Sequence, residues 1–168
     1  MTNNDILIRL RYALDLKNTE MIEIFKLGGI DVTKDEVLKI LSKEPYEDDE
    51  SDEYVETESF IKCTNSMLES FLNGFIAFKR GARPDQKPDR SIKNHASVNN
   101  VMLKKVKIAL SLTTEEMLHL FELAGLNVSK GELGALLRKE GHKNYKPCGD
   151  KYARNFLKGL TIRFREID

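Results

Sequence analysis

Residues Ala13-Leu14-Asp15-Leu16 return as Ala109-Leu110-Ser111-Leu112 inside a long ungapped self-match. At an offset of 96, residues 2–44 align with residues 98–140, and 17 of these 43 positions are identical. They include Asn3/Asn99, Asn4/Asn100, Glu20/Glu116, Phe25/Phe121, Gly29/Gly125, Glu36/Glu132 and Leu41/Leu137. The match resumes at an offset of 85, where Cys63 meets Cys148 and Phe71-Leu72-Asn73-Gly74 meets Phe156-Leu157-Lys158-Gly159. The first copy therefore carries 11 extra residues between its third and fourth segments. Self-similarity over this length restricts the fold to one small unit written twice.

Each unit reads as four helices, because its apolar residues recur at steps of three and four. Leu7, Leu10, Ala13 and Leu14 mark the first helix, and Leu103, Val106, Ala109 and Leu110 mark its copy. Asn4 and Asn100 are expected as their N-caps, with Asn65 and Asp150 capping the fourth helices. The second helix starts at Asn18 in the first copy and at the capping box Thr113-x-x-Glu116 in the second. Gly29 and Gly125 are its left-handed stops. The third helix starts with Thr33-x-x-Glu36 and Ser129-x-x-Glu132, where side chain and backbone satisfy each other reciprocally. The fold class that follows is all-α, a tandem repeat of two four-helix units packed against each other, each containing a helix-turn-helix-like pair. The first repeat spans 1–81 with an acidic insertion at about 47–60. An exposed linker follows at 82–96, and the second repeat spans 97–168. A unit of roughly 70 residues buries only a marginal core by itself, so the two are expected to pack together.

The chain of 168 residues is 40% hydrophobic and 32% charged, the balance of a globular protein. No basic segment leads into an apolar core at the start, and no apolar run spans a bilayer, so a cytoplasmic protein is expected without membrane contact. Two cysteines make no disulfide framework and no C-x-x-C pair, so neither a secreted fold nor structural zinc is indicated. The formal net charge is zero but unevenly placed: residues 1–82 hold 10 Lys and Arg against 17 Asp and Glu, and residues 83–168 hold 17 against 10.

Three segments carry a family resemblance: residues 2–14, with Asn3-Asn4-Asp5-Ile6-Leu7 and Arg9-Leu10-Arg11-Tyr12-Ala13-Leu14; Phe25-x-Leu27-Gly28-Gly29; and Phe71-Leu72-Asn73-Gly74 followed by Lys79-Arg80-Gly81. In these the chain resembles the YehS-like family of uncharacterised bacterial proteins, itself a tandem duplication of a domain of unknown function. The resemblance covers essentially the whole chain. It implies a bacterial cytosolic protein and brings no catalytic residues with it. The long acidic insertion departs from the family pattern, so a role for it is not expected to be a family trait.

The pairing of second and third helices around Gly29 or Gly125 suggests a helix-turn-helix, whose later helix enters the major groove. The cations that can meet phosphate, or a protein partner, are Arg9, Arg11, Lys104, Lys105 and Lys107 on the first helices, and Lys130, Arg138 and Lys139 on and after the seventh. A solvated helix face is the plainer reading of the first set. Asp35 and Glu36 near the start of the third helix repel phosphate, and no aromatic platform for RNA accompanies the charges. Gly131, Gly134 and Ala135 suggest close helix packing, between the copies, more than base reading.

Residues 47–58 hold eight acids, among them Glu47, Asp48, Asp49, Glu50, Asp52 and Glu53, a candidate interaction loop for a basic partner. It lacks the ligand spacing and central glycine of a calcium loop, and a solvated loop is its plain alternative. Glu116-x-x-His119 has the spacing used in di-iron bundles, but the first copy has Glu20 and Glu23 there. The cysteines sit at equivalent helix starts, where a dipole can lower a thiol pKa, although packing is the simpler role. No cofactor and no catalytic set is expected. The sequence thus points to a non-enzymatic adaptor that recognises a protein, whether a different chain or a second copy of its own. Nucleic-acid binding through the helix-turn-helix-like pair is the alternative. An enzyme whose site is assembled from distant residues is third.

Overall fold

The computed structural model describes residues 1–42, 60–81 and 92–165. The acidic loop candidates and residues 82–91 of the connection lie outside the described residues. Within them the chain is all-α. The first repeat contributes α1 (Asn3–Ala13), α2 (Asn18–Leu27), α3 (Lys34–Ile40) and α4 (Asn65–Arg80). The second contributes α5 (Val98–Ala109), α6 (Thr114–Leu123), α7 (Lys130–Leu137) and α8 (Asp150–Arg165), with a 3-10 turn at His95–Ser97 leading into α5.

Local chemistry starts and stops these helices. Thr33 with Glu36 and Thr113 with Glu116 form reciprocal capping boxes. At α7 the expected box is corrected to half of one: the Ser129 hydroxyl accepts from the Glu132 N–H, while the Glu132 carboxylate meets that hydroxyl and not the Ser129 backbone N–H. Gly29 and Gly125 take φ of +94° and +84°, the left-handed conformation that lets the chain leave α2 and α6. The turns after α1 and α5 place Asp15 and Ser111 at φ of 50° and 53°, a conformation tolerated best by short polar residues.

The expected asparagine caps are corrected. Thr2 caps α1 in a box with Asp5, and Ser97 stands before α5. Thr64 caps α4, leaving Asn65 one residue inside. Lys17 precedes α2, its backbone N–H donating to Glu20. Asn4 and Asn100 are instead buried inside their helices, and each clamps a loop. Asn4 Nδ2 donates to the carbonyls of Ile40 and Ile61, at 2.8 and 2.9 Å, and its Oδ1 accepts from the Cys63 N–H at 2.9 Å. Asn100 makes the same three bonds, to Leu136, Lys146 and Cys148. Asn3 and Asn99 add a second tie, from Nδ2 to the Cys63 and Cys148 carbonyls and to Asn65 and Asp150. A side chain with both donors and an acceptor is needed here, because the loop brings unpaired backbone N–H and C=O groups into the interior.

Packing within each repeat centres on the crossing of its second and fourth helices. A Cβ on Gly74 would fall 1.9 Å from the Ile24 carbonyl oxygen, and one on Gly159 would fall 1.9 Å from that of Leu120. The backbones therefore touch at both crossings. Phe25 packs on Phe71 and Phe121 on Phe156, with ring centroids 5.0 and 5.8 Å apart. Gly131 and Gly134 have no such role: a Cβ on Gly134 would meet nothing within 4 Å. The expectation that they serve close packing is thus overturned.

The repeats are joined by exchange. α1 lies mainly against α8 of the second repeat, and α5 mainly against α4 of the first. The two contacts share one register. Arg165 Nη1 donates to the Tyr12 carbonyl at 2.9 Å, and the equivalent Arg80 donates to the equivalent Ile108 carbonyl at 3.2 Å. One continuous apolar cluster results, running from Ile6, Leu7 and Leu10 through Phe71 and Phe75 to Leu103, Phe121 and Leu160.

Candidate functional site

The exchange creates two seams, α4–α5 and α1–α8, which occupy equivalent places but differ in chemistry. On the α4–α5 seam, Lys105 is only 4% exposed and Glu69 only 2%. The Lys105 ammonium donates to Asn73 Oδ1 and stands 3.8 Å from Glu69 Oε2. The Glu69 carboxylate also accepts the backbone N–H of Ile92, at 3.0 and 3.2 Å, so the chain leading into α5 lies across this seam. Lys105 is therefore withdrawn from the surface that the sequence reading assigned it. Opposite charges in a low-dielectric interior must be paired, and this pair locks α4 to α5.

On the α1–α8 seam the three equivalent positions are Arg9, Arg154 and Lys158, all exposed. Two contacts bracket them: the Met1 amino group lies 2.7 Å from Asp150 Oδ2 at one end, and Tyr12 meets Arg165 at the other. The helices run in the same direction between these points, and in the register of the α4–α5 seam, where Lys105 reaches Glu69 and Asn73, Arg9 is the position that corresponds to Lys105 and Arg154 and Lys158 are those of its partners. Nearby acids are already engaged. Asp5 Oδ2 accepts the Thr2 N–H in the capping box. Asp150 accepts from the Met1 amino group and from Asn99, which hold its carboxyl below the usual carboxylate range with a smaller contribution from the charge of Arg154 one turn on. The Tyr12 ring is covered by the Arg165 guanidinium, 4.2 Å from its centroid.

The remaining cations expected as contacts do not come together. Arg11 is half-buried and donates to Asn18 Oδ1 at 3.3 Å. Lys104 is exposed on α5, with Lys107 half-buried on the same helix. Lys130 pairs with Glu115 at 3.4 Å, Arg138 faces His142 at 3.5 Å, and Lys139 is exposed after α7. Apolar periodicity along α8 does not single out Arg154 and Lys158, which lie off its buried stripe. Their signal was present: the two copies align Glu69 with Arg154 and Asn73 with Lys158 while the flanking Phe, Leu and Gly stay fixed.

Among the described residues, no three His, Cys, Asp or Glu side chains converge in a way that could hold a metal. Glu116 accepts the Thr113 N–H as part of its cap, and that bond lowers its pKa. His119 Nδ1 stands 3.9 Å from Glu122 Oε2 at the surface. Cys63 and Cys148 are buried free thiols, and burial pushes both up to about 12, the opposite of an activated nucleophile. Among the described residues, no helix is long and apolar enough to cross a membrane.

These features define a tandem-duplicated helical protein in which the two repeats exchange their first helices. The chain belongs to the family described as "Protein of unknown function (DUF1456)", whose model matches residues 3–81 and 99–166. It is similar to "Uncharacterized protein YehS" of Escherichia coli (strain K12), 37% identical over 166 residues that span 97% of this chain and 96% of that protein. No solved structure matches.

Proposed function

We propose that the chain is a non-enzymatic cytoplasmic adaptor whose helix-turn-helix-like pair in the first repeat recognises a protein. The observation that carries this reading is the exposure of two large apolar side chains on the paired helices, Leu27 of α2 at 42% and Leu38 of α3 at 47%. Large side chains left in water on two adjacent helices favour a covered state, since each gains roughly 25 cal/mol per Å² of apolar surface on burial. Thr19, Ile22, Glu23, Lys26 and Leu27 line a shallow depression along the same side of α2. The first turn of α3 carries Asp35 and Glu36, which disfavours insertion beside phosphates. On this reading residues 1–81 and 97–168 are the two functional units, the second serving mainly to complete the fold of the first.

Affinity purification from the native cells, with and without nuclease, tests the proposal. A protein that co-elutes in fixed ratio under both conditions, and is lost from a Leu27→Asp/Leu38→Asp variant with unchanged helicity, is the expected result. Co-elution abolished by nuclease, or a labelled DNA duplex bound at about 50 mM salt with steep salt dependence, would replace this reading with nucleic-acid binding.

A further inference from the structure

We propose that the α1–α8 seam is a binding site for an extended acidic peptide segment of a partner protein, whose carboxylates pair with Arg9, Arg154 and Lys158. The inference is independent of the apolar face of α2 and α3 and rests on comparing the two seams.

On the α4–α5 side the seam is already filled. The chain's own backbone at Ile92 lies over it, and Glu69 neutralises Lys105. That side shows one backbone N–H of the chain, that of Ile92, received by a side chain of this helix pair. On the α1–α8 side the same position in the register has inverted its chemistry. Arg154 replaces the acid, Lys158 replaces the neutral amide, and Arg9 keeps the cation of Lys105. A site that accepted an N–H through Glu69 now donates through Arg154. Its complement is a chain that brings carboxylates.

Spacing agrees with that complement. Arg154 and Lys158 are one helical turn apart, about 6 Å along the axis. Side chains on one face of an extended peptide repeat at about 6.6 Å, so alternate acids meet the two cations. Arginine suits this role because its planar fork binds a carboxylate in a bidentate manner. A single-stranded nucleic acid fits less well, since such sites stack bases on several open aromatic faces, whereas Tyr12, although 52% exposed, carries the Arg165 guanidinium over one face of its ring.

The test titrates a labelled oligoglutamate peptide into the full chain by fluorescence anisotropy at about 50 mM salt, with a single-stranded oligonucleotide of equal charge in parallel. The peptide should bind, and Arg9→Ala/Arg154→Ala/Lys158→Ala should weaken it by about tenfold or more. Arg154→Glu/Lys158→Asn, which copies side chains that the α4–α5 seam already accommodates, should abolish binding while thermal melting confirms the fold. A control with the same loss of charge at exposed lysines elsewhere, Lys62→Ala/Lys79→Ala/Lys143→Ala, should stay within about twofold, a small change on the free-energy scale. Equal loss in the control would overturn the site, as would tighter binding of the oligonucleotide. Binding seen only after deletion of residues 47–58 would also overturn it, by showing that the chain's own acids fill the seam.

Discussion

Asn4 and Asn100 do at the scale of single residues what a cap does for a helix end: each satisfies three backbone groups, one at the C-terminal end of α3 or α7 and two in the segment that follows. Each unsatisfied group costs about 1–3 kcal/mol. Asn4→Ala and Asn100→Ala should therefore each lower stability by about 2–5 kcal/mol, read as a drop in the urea midpoint with little change in slope. The thiols beneath these clamps give a pH dependence. Burial raises Cys63 and Cys148 from 9.0 to about 12, so the folded chain keeps both protons where the unfolded chain loses them. Their stabilisation is complete below pH 9 and declines as pH rises toward 12, by at most about 1.4 kcal/mol per pH unit for each thiol. Denaturant melts between pH 8 and pH 11 should fall more steeply for the native chain than for Cys63→Ala/Cys148→Ala. Equal slopes would show that the thiols are not the titrating groups. The asparagines were legible as shared residues but not as clamps. Their spacing before an apolar run imitates a cap, and their partners lie between 36 and 59 residues away.

Elements were the most legible level, because helix starts and stops are local chemistry. Thr33, Thr113 and Ser129 and the stops at Gly29 and Gly125 act where their spacing to Glu36, Glu116, Glu132 and the apolar runs indicated. Glycines without a capping role were not legible, since the sequence does not say which ones another backbone touches. Gly74 and Gly159 are contacts, while Gly134 is open. Gly134→Ala should accordingly stabilise α7 by roughly 0.5–1 kcal/mol through helix propensity. Gly74→Ala and Gly159→Ala force carbonyl and methyl into the same space and should destabilise by more than about 2 kcal/mol, with crossing helices pushed apart. Thermal melts of the three single variants check both signs. In the position equivalent to Gly28, the second repeat carries Ala124, so its crossing leaves room for a methyl group that the first does not.

At the scale of the molecule, the duplication announced two units but not that each lends its first helix to the other. Hydrophobic periodicity identifies the buried stripe of α1, through Ile6, Leu7 and Leu10, without naming the surface that covers it. Because α8 covers it, neither repeat closes a core by itself. Residues 1–81 and 92–168 expressed separately should each show weak, non-cooperative melting. Mixed, they should form an equimolar complex with near-native helicity, measured by circular dichroism and sedimentation. Cooperative melting of either half alone would contradict the exchange. The charge asymmetry between halves was also visible, yet its placement was not. One cation of the basic half, Lys105, is sealed in an ion pair, while Arg154 and Lys158 stand on the open seam.

The reciprocal lending of α1 and α5 bears on how such a chain can change over generations. A gene duplication copies repeats, but what selection can alter independently here is a seam, made half from each copy. A mutation in the first repeat at Arg9 is felt beside Arg154, and one at Glu69 beside Lys105. Compensating substitutions should therefore pair positions across the repeats more than within them. One seam has been free to become an internal joint while its twin kept an open, charged edge.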